Sequence, residues 1–263
     1  MEMGLKDKAA CVTGASRGLG LAVAEGLAAE GCKLALCARS AEGLAAAAKS
    51  IQEKYQVEVH ARPVDLAQSG EAGRFAEEVC KHFNGVDILV TNAGGPPAGR
   101  FEDFSEADWR RAVELTLLPA QALARAMLPG MRQKGWGRIV NLTSVSVKQP
   151  LAGLILSNSI RAAVVGWAKT LADEVAADGI TVNNVCPGWV LTERVDALLD
   201  HQAKAQGISR EKALAKIVSG IPMGRLGEPH ELADLVVFLA SRRASYITGV
   251  SYLIDGGLHR GMM

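Results

Sequence analysis

The sequence has no excess of charge of either sign. Lys and Arg together number 29 and Asp and Glu 28, which gives a formal net charge of +1 at pH 7. Proteins that hold nucleic acids do so largely through clustered positive charge, so this balance argues against a nucleic-acid partner. With 49% hydrophobic and 22% charged residues, the composition is that of a chain that folds around an apolar core. We therefore expect its partner to be a small molecule.

Paired cysteines and long apolar runs are also missing. The five cysteines are odd in number, lie mostly in apolar stretches and lack the C-x-x-C spacing of a zinc site, so we expect reduced core thiols and no metal: Cys11, Cys32, Cys37, Cys80 and Cys186. Residues 1–8 lack the apolar segment of a secretory signal, and no stretch of the sequence reaches membrane-spanning length. These absences predict a cytoplasmic protein without a membrane partner.

Short β-branched, apolar runs alternate along the chain with longer segments rich in alanine and leucine. Apolar strands without polar alternation favour a parallel sheet that is buried on both faces. The alternation predicts a doubly wound, Rossmann-like α/β fold, and the absence of a linker predicts a single domain, 1–263. The predicted strands are Lys8–Thr13, Lys33–Ala38, Val57–Ala61, Val86–Asn92, Gly137–Ser144, Ile180–Pro187 and Val250–Asp255.

One segment departs from this alternation. Between residues 193 and 220, apolar residues recur at helical spacing among charges, without an intervening strand. The pattern predicts a helical flap over the substrate. An ordinary pair of surface helices explains the same pattern equally well.

A glycine-rich turn follows the first predicted strand. It reads Gly14-Ala15-Ser16-Arg17-Gly18-Leu19-Gly20 and leads into a helix predicted at Leu21–Glu30. Glycines allow the backbone to turn tightly beside a pyrophosphate, whose charge is stabilised by the amino end of the helix. In this strand-turn-helix context the motif predicts a dinucleotide site.

The end of the second strand bears on the choice between NAD and NADP. An acidic residue there would bind the ribose 2′-hydroxyl of NAD, but the sequence is Cys37-Ala38-Arg39-Ser40. Arg39, together with Arg17, could instead bind a 2′-phosphate, although both could also be solvated loop residues. We therefore expect NADP(H) to be preferred over NAD(H).

Further motifs follow the glycine-rich turn in a fixed order along the chain. Together with the turn they are Thr13-Gly14-x-x-x-Gly18-x-Gly20, Asp65, Asn92-Ala93-Gly94, Gly137–Asn141, Pro187-Gly188, Pro222-x-Gly224-Arg225-x-Gly227-x-Pro229, Phe238–Ser241, Ser245–Gly249 and Asp255–Gly257. Their order and spacing resemble the short-chain dehydrogenase/reductase family, and within it the β-ketoacyl-carrier-protein reductases, over essentially the whole chain. The resemblance implies a seven-stranded parallel sheet, NADP(H) as cofactor, a small-molecule or acyl-thioester substrate, and a homotetramer, with a homodimer as the second possibility.

By position, the resemblance also implies which residues contact the cofactor. The set comprises Ser16, Arg17, Leu19 and Arg39 at the adenosine phosphates, Asp65 at the adenine, Asn92 and Gly94 at the ribose, and Val190 and Thr192 at the nicotinamide, with Gly14, Gly18, Gly20, Leu66, Ala93, Pro187 and Gly188 beside them.

The chain departs from the family at the catalytic residues, which are Asn, Ser, Tyr and Lys, the last two spaced Tyr-x-x-x-Lys. None of the three tyrosines has a lysine four residues later. Counting from Ser144 and from Pro187-Gly188 places Ser157 at the Tyr position and Arg161 at the Lys position. Counting from Trp109 places Thr116 at the Asn position. The catalytic set is therefore expected to be Thr116, Ser144, Ser157 and Arg161.

These replacements change the chemistry that is available. A serine hydroxyl is a far weaker acid than a phenol, and arginine holds its proton too firmly to relay it. Ser157 and Arg161 still share a helix face, so a polarising site remains. Cys186 and His201 are other possible proton sources. The simpler interpretation is that Cys186 is a buried core thiol and that His201 is a solvated surface histidine. The leading hypothesis is that the chain is an NADP(H)-dependent oxidoreductase of altered mechanism. One alternative is a catalytically silent NADP(H)-binding protein that acts as a sensor or oligomer partner, and another is an enzyme that catalyses a non-redox reaction such as dehydration.

Overall fold

A computed structural model describes residues 2–262 and places within them seven parallel strands in one sheet, in the order β3-β2-β1-β4-β5-β6-β7. This confirms the predicted single-domain, doubly wound α/β fold. The strands are β1 Ala9–Thr13, β2 Lys33–Ala38, β3 Val59–Pro63, β4 Ile88–Thr91, β5 Gly137–Leu142, β6 Ile180–Pro187 and β7 Ser251–Ile254. The helices are α1 Gly18–Ala29, α2 Ala41–Tyr55, α3 Glu71–Phe83, α4 Glu106–Lys134, α5 Ile155–Val175, α6 Glu193–Gln206, α7 Arg210–Ser219 and α8 Pro229–Ala240.

Two apolar clusters cover the two faces of the sheet. On one face, α1, α2 and α8 pack over the strands through residues such as Leu27, Leu44 and Val236. On the other, α3, α4 and α5 pack through residues such as Phe75 and Met127. Burial on both faces explains why the strands are apolar throughout.

The chain reverses direction across the sheet between β1 and β4. Strand β1 pairs with β2 on one side and with β4 on the other, both in parallel. At such a switch point the loops that follow the two strands diverge and leave a crevice at the carboxyl ends. The fold thus provides a ligand cleft above Thr13 and Thr91, the last residues of these strands.

Several predicted element ends are wrong by up to three residues. Strand β3 lies two residues further along and includes Arg62, whose charge is neutralised by Glu71 and Glu78 of α3. Strand β5 ends at Leu142, before Ser144, whose hydroxyl instead accepts a hydrogen bond from Ser146 N–H.

The other strands and α1 also differ at their ends. Strand β4 begins at Ile88 and ends at Thr91, strands β1 and β7 are slightly shorter than predicted, and α1 begins at Gly18 because the glycines of the turn already form its first residues.

The segment from 193 to 220 forms two helices, α6 and α7. The two helices pack together through a small apolar cluster that includes Val195 and Leu199 of α6 and Ala213 of α7. Ile221, which follows the segment, belongs to the same cluster. The predicted helices are therefore present, and their role as a flap stays a prediction.

The cysteines are reduced and mostly lie in the core, as the sequence predicts. All five cysteines are free, and four of them are buried; Cys80 is half-buried. Burial raises the pKa of Cys32 and of Cys37 to about 12. None of the helices within residues 2–262 combines the length and the apolar character needed to cross a bilayer.

Candidate active site

A cleft of about 1290 Å³ opens at the carboxyl ends of the strands. Pockets for drug-sized ligands commonly measure about 300–1000 Å³, so this one has room for a dinucleotide and a second molecule. All of the residues that the sequence assigns to cofactor binding and catalysis line it, except Gly20.

Gly20 has a packing role beneath the glycine-rich turn. A Cβ atom at this position would lie 2.3 Å from the carbonyl oxygen of Gly14 and 2.8 Å from Asn92 Nδ2. Gly14 and Gly18 have φ of 61° and 58°, which glycine adopts without strain. Helix α1 has no acidic residue in its first turn, so its unpaired amides face the cleft without a competing carboxylate.

The two arginines near the adenosine end differ in their partners. Arg17 forms an ion pair with Glu193 at the start of α6. Arg39 is exposed just beyond β2 and has no hydrogen-bond or ion-pair partner within residues 2–262. Asp65 uses one carboxylate oxygen to accept the Ala67 N–H at 3.1 Å, which shapes the loop after β3.

Asn92 connects the loops after β1 and β4. Its backbone N–H donates to Thr13 Oγ1 at 2.8 Å, and its side-chain Nδ2 donates to Gly14 O at 3.3 Å. The side chain predicted to contact the ribose is therefore engaged through its nitrogen, while its oxygen is free. Beside it, a Cβ atom on Gly94 would meet no other atom within 4 Å, which leaves open space above this loop.

The loop after β6 forms the opposite wall. Gly188 is required there, since a Cβ atom would lie 2.7 Å from Asp255 Cβ. Thr192 caps α6 by accepting the Val195 N–H, and its methyl group would lie 3.5 Å from a Cβ atom on Gly18. The predicted nicotinamide loop therefore lies against the predicted phosphate turn.

Arg161 is anchored by four hydrogen bonds. Nε donates to Ser157 Oγ at 3.3 Å, Nη1 donates to Leu142 O and to Thr143 O at 3.0 Å each, and Nη2 donates to Ala93 O at 3.3 Å. A guanidinium has five N–H groups, so one remains free. Burial, and then the nearby charge of Arg194, lowers the pKa of Arg161 to about 10, which keeps it cationic at neutral pH.

Both serines of the predicted catalytic set are hydrogen-bond acceptors from protein groups. Ser157 Oγ accepts from Arg161, which can only donate, and Ser144 Oγ accepts from Ser146 N–H at 3.1 Å. Neither hydroxyl donates a hydrogen bond within the described chain. Both O–H groups are therefore available to a ligand in the cleft.

The remaining candidates for proton transfer differ in placement. Thr116 Oγ1 is buried on α4 at the edge of the cleft and has no hydrogen-bond partner among the described residues. Cys186 lies 3.1 Å from Thr143 Oγ1, and burial raises the pKa of its thiol. His201 is exposed on α6 and does not line the cleft.

Sequence reasoning missed Arg194, which lines the cleft one residue into α6. Its Nη2 donates to Pro96 O at 2.9 Å. A single arginine in a helical segment carries no sequence signal of this kind, because only the fold brings α6 over the loop after β4.

Sequence reasoning also missed a chain of polar side chains beneath the cleft. Thr91 Oγ1 donates to Asn141 Oδ1 at 2.7 Å, Asn141 Nδ2 to Asn184 Oδ1 at 3.1 Å, and Asn184 Nδ2 to Ser251 Oγ at 3.1 Å. The chain crosses β4, β5, β6 and β7 through residues that are directly opposite one another in the sheet.

Comparison with known families gives a match over most of the chain. The family model described as enoyl-(acyl carrier protein) reductase matches residues 14–259, from the phosphate turn to beyond β7. The chain belongs to the short-chain dehydrogenase/reductase family. Its fold, with seven parallel strands in one sheet, is that of the reductases of this family on which it superposes.

Individual members of the short-chain dehydrogenase/reductase family match over nearly the full length. The chain is 37% identical over 257 residues to a 3-oxoacyl-(acyl-carrier-protein) reductase of Vibrio cholerae, covering 98% of this chain and 99% of that protein. It is 35% identical over 254 residues to a D-β-hydroxybutyrate dehydrogenase of Cupriavidus necator, covering 96% and 98%. Among solved structures, L-sorbose reductase of Gluconobacter frateurii in complex with NADPH and L-sorbose superposes with a TM-score of 0.94 at 38% identity, covering 100% of both chains.

Proposed function

We propose that the chain is an NADP(H)-dependent oxidoreductase that reduces a carbonyl compound of the 3-oxoacyl type, using Thr116, Ser144, Ser157 and Arg161 in place of the family's Asn-Ser-Tyr-Lys set. The observation that carries this proposal is the bond from Arg161 Nε to Ser157 Oγ. It keeps the pair together at the floor of the cleft and leaves the serine hydroxyl free to donate.

The preference for NADP(H) rests on Arg39. It follows β2, where an acid would favour NAD, and its charge is free within the described residues. Arg17 is the second candidate for the 2′-phosphate, and binding there would compete with its ion pair to Glu193. The similarity to reductase structures that contain NADPH supports the same cofactor.

The two serine hydroxyls are proposed to bind the substrate carbonyl oxygen. Both accept a hydrogen bond from a protein N–H and both can donate toward the cleft, so together they stabilise negative charge that develops on this oxygen. When bound, the nicotinamide supplies a hydride to the carbonyl carbon. The fixed charge of Arg161 beneath Ser157 favours the same developing charge.

Proton delivery is the weak point of this arrangement. A general acid contributes about 10²- to 10⁴-fold to a rate, and neither Ser157 nor Arg161 replaces a phenol in this respect. The Thr116 hydroxyl lines the cleft, is buried and has no hydrogen-bond partner among the described residues, so it is available to pass a proton to a ligand there. We therefore expect turnover that is slower than with a tyrosine and that favours substrates needing little protonation.

NADPH oxidation by the purified protein tests the proposal, with ketones, 3-oxoacyl thioesters and quinones as substrates. Activity that is lost in Ser144→Ala and in Arg161→Ala would support it. A parent that binds NADPH but oxidises none of it, with activity appearing only in Ser157→Tyr/Arg161→Lys, would instead establish a catalytically silent cofactor-binding protein. Retention of NADP⁺ with a chemically altered substrate would indicate non-redox chemistry.

We also propose a cytoplasmic homotetramer, with a homodimer as the alternative. Large apolar side chains are exposed at Leu118 on α4 and at Tyr246 and Val250 before β7, which supports association through these faces. Light scattering on the purified protein distinguishes the two states. Relatives that act on acyl-carrier-protein substrates support an acyl thioester as one substrate to test.

A further inference from the structure

Two arginines converge on the substrate end of the cleft. Arg161 rises from α5 at its floor, and Arg194 reaches into it from α6. Their charges are close enough that Arg194 contributes to lowering the pKa of Arg161. Arg161 is buried whereas Arg194 is exposed, so solvent screens part of their repulsion and an anion bound between them would relieve the rest.

Arg194 is held in place but not saturated. One Nη2 hydrogen bonds to Pro96 O at 2.9 Å, and the guanidinium packs on Gly95, where a Cβ atom would lie 2.8 Å from Nη2. Its Nε and Nη1 groups donate no hydrogen bond within residues 2–262. Partial burial lowers its pKa, while the residue as a whole remains exposed, so its unused N–H groups are accessible to a ligand in the cleft.

The carboxylates of the cleft lie elsewhere. Among its described lining residues only Asp65 and Glu193 are acidic. Glu193 pairs with Arg17, and Asp65 bonds to its own loop after β3, on the other side of the switch point. Within the described lining, no carboxylate is left for Arg161 and Arg194, so an anionic ligand would meet two unpaired cations there.

We infer that the substrate carries a carboxylate that binds Arg194, while its carbonyl oxygen lies against Ser144 and Ser157. This inference rests on the proposed carbonyl reduction and favours a free oxo acid over an acyl thioester as its substrate. A carboxylate fits Arg194 because four of its five N–H groups have no acceptor within the described residues, and the planar guanidinium can bind both carboxylate oxygens at once.

The test measures binding separately from turnover. Isothermal titration of the NADP⁺ complex would compare pyruvate, acetoacetate and levulinate, which differ in the spacing of carbonyl and carboxylate, with their methyl esters. We expect at least one acid to bind about 10- to 100-fold more tightly than its ester, the factor typical of a hydrogen-bonded charge. Arg194→Gln should abolish this preference and Arg194→Lys should retain part of it. Arg110→Gln, which removes an exposed arginine paired with Glu106 on α4, is the matched control and should keep it.

Three results would overturn the inference. They are equal binding of acids and esters by the parent, an unchanged preference in Arg194→Gln, and a loss of NADP⁺ affinity in Arg194→Gln as large as the loss of acid binding, which would assign Arg194 to the cofactor. Reduction of esters and acids at equal efficiency would leave the proposed function standing without this inference. Selective binding of an acid that is never reduced would support this inference and contradict the proposed function.

Discussion

The anchoring of Arg161 leads to a prediction about stability. In Arg161→Met, three backbone carbonyls, of Ala93, Leu142 and Thr143, lose a charged donor in a buried setting. Leaving a buried polar group without a hydrogen bond lowers the free energy of unfolding by about 1–3 kcal/mol, and by less for a carbonyl whose second lone pair is already used. The variant is also relieved of the desolvation cost of a buried charge, which offsets part of this loss. We expect a net loss of about 2–4 kcal/mol in the free energy of unfolding.

The control is another arginine with a single exposed contact. Arg132 donates to Asp178 at 2.8 Å with half of its side chain exposed, so Arg132→Met should cost at most about 1 kcal/mol. In Arg161→Lys the charge is kept but the planar fork is lost, and we expect an intermediate result.

Urea unfolding followed by circular dichroism, at one fixed protein concentration, measures all three variants. At this chain length a loss of about 1 kcal/mol corresponds to roughly 2–4 °C in Tm, so thermal unfolding gives a second readout. If Arg161→Met were no less stable than Arg132→Met, the guanidinium would not tie α5 to the ends of β4 and β5, and its proposed function as a fixed charge would lose its structural basis.

Three further predictions concern the turn, a helix cap and the thiols. Gly20→Ala should weaken NADPH binding by more than about 10-fold because its Cβ atom would collide with Gly14 O. The control is Gly73→Ala in α3, where the space around the residue is open; it should bind NADPH normally and gain about 0.5–1 kcal/mol in stability. Equal NADPH affinity in the two variants would refute the packing argument. The bond with Arg225, followed by the Glu228 N–H, lowers the pKa of Glu231 from 4.5 to about 2, so its contribution to stability is present above pH 4.5 and is lost as the pH falls towards 2. The Tm difference between the parent and Glu231→Gln should shrink over that range, and a difference independent of pH would contradict it. Titration with a thiol reagent should find at most one accessible cysteine in the native protein and five in denaturant; rapid reaction of several native thiols would show that the core is not closed.

Sequence spacing was sufficient to place Ser157 and Arg161 together. Residues four apart on a helix share a face, and the structure joins these two side chains directly. The fold class was equally accessible, because strands buried on both faces leave an apolar signature.

The acceptors of Arg161 and the position of Arg194 could not be predicted in this way. Arg161 bonds to backbone carbonyls, which every residue has and which therefore leave no trace in the sequence. Arg194 enters the cleft only because α6 packs over the loop after β4, a tertiary contact. Strand ends were missed where a charge such as that of Arg62 is neutralised by a neighbouring helix.

The polar chain from Thr91 through Asn141 and Asn184 to Ser251 fixes the alignment of strands β4 to β7, that is, which residues lie opposite one another in the sheet. An amide has distinct donor and acceptor ends, so shifting one strand by a residue would leave an unpaired amide in the core. Of these four residues only Thr91 borders the cleft, so the alignment is maintained mainly by groups that lie outside it. A side chain of α5 that lines the cleft without anchoring the strands, such as Ser157, can therefore be exchanged without disturbing this alignment, which makes the scaffold suitable for engineering new reactions at the same cleft.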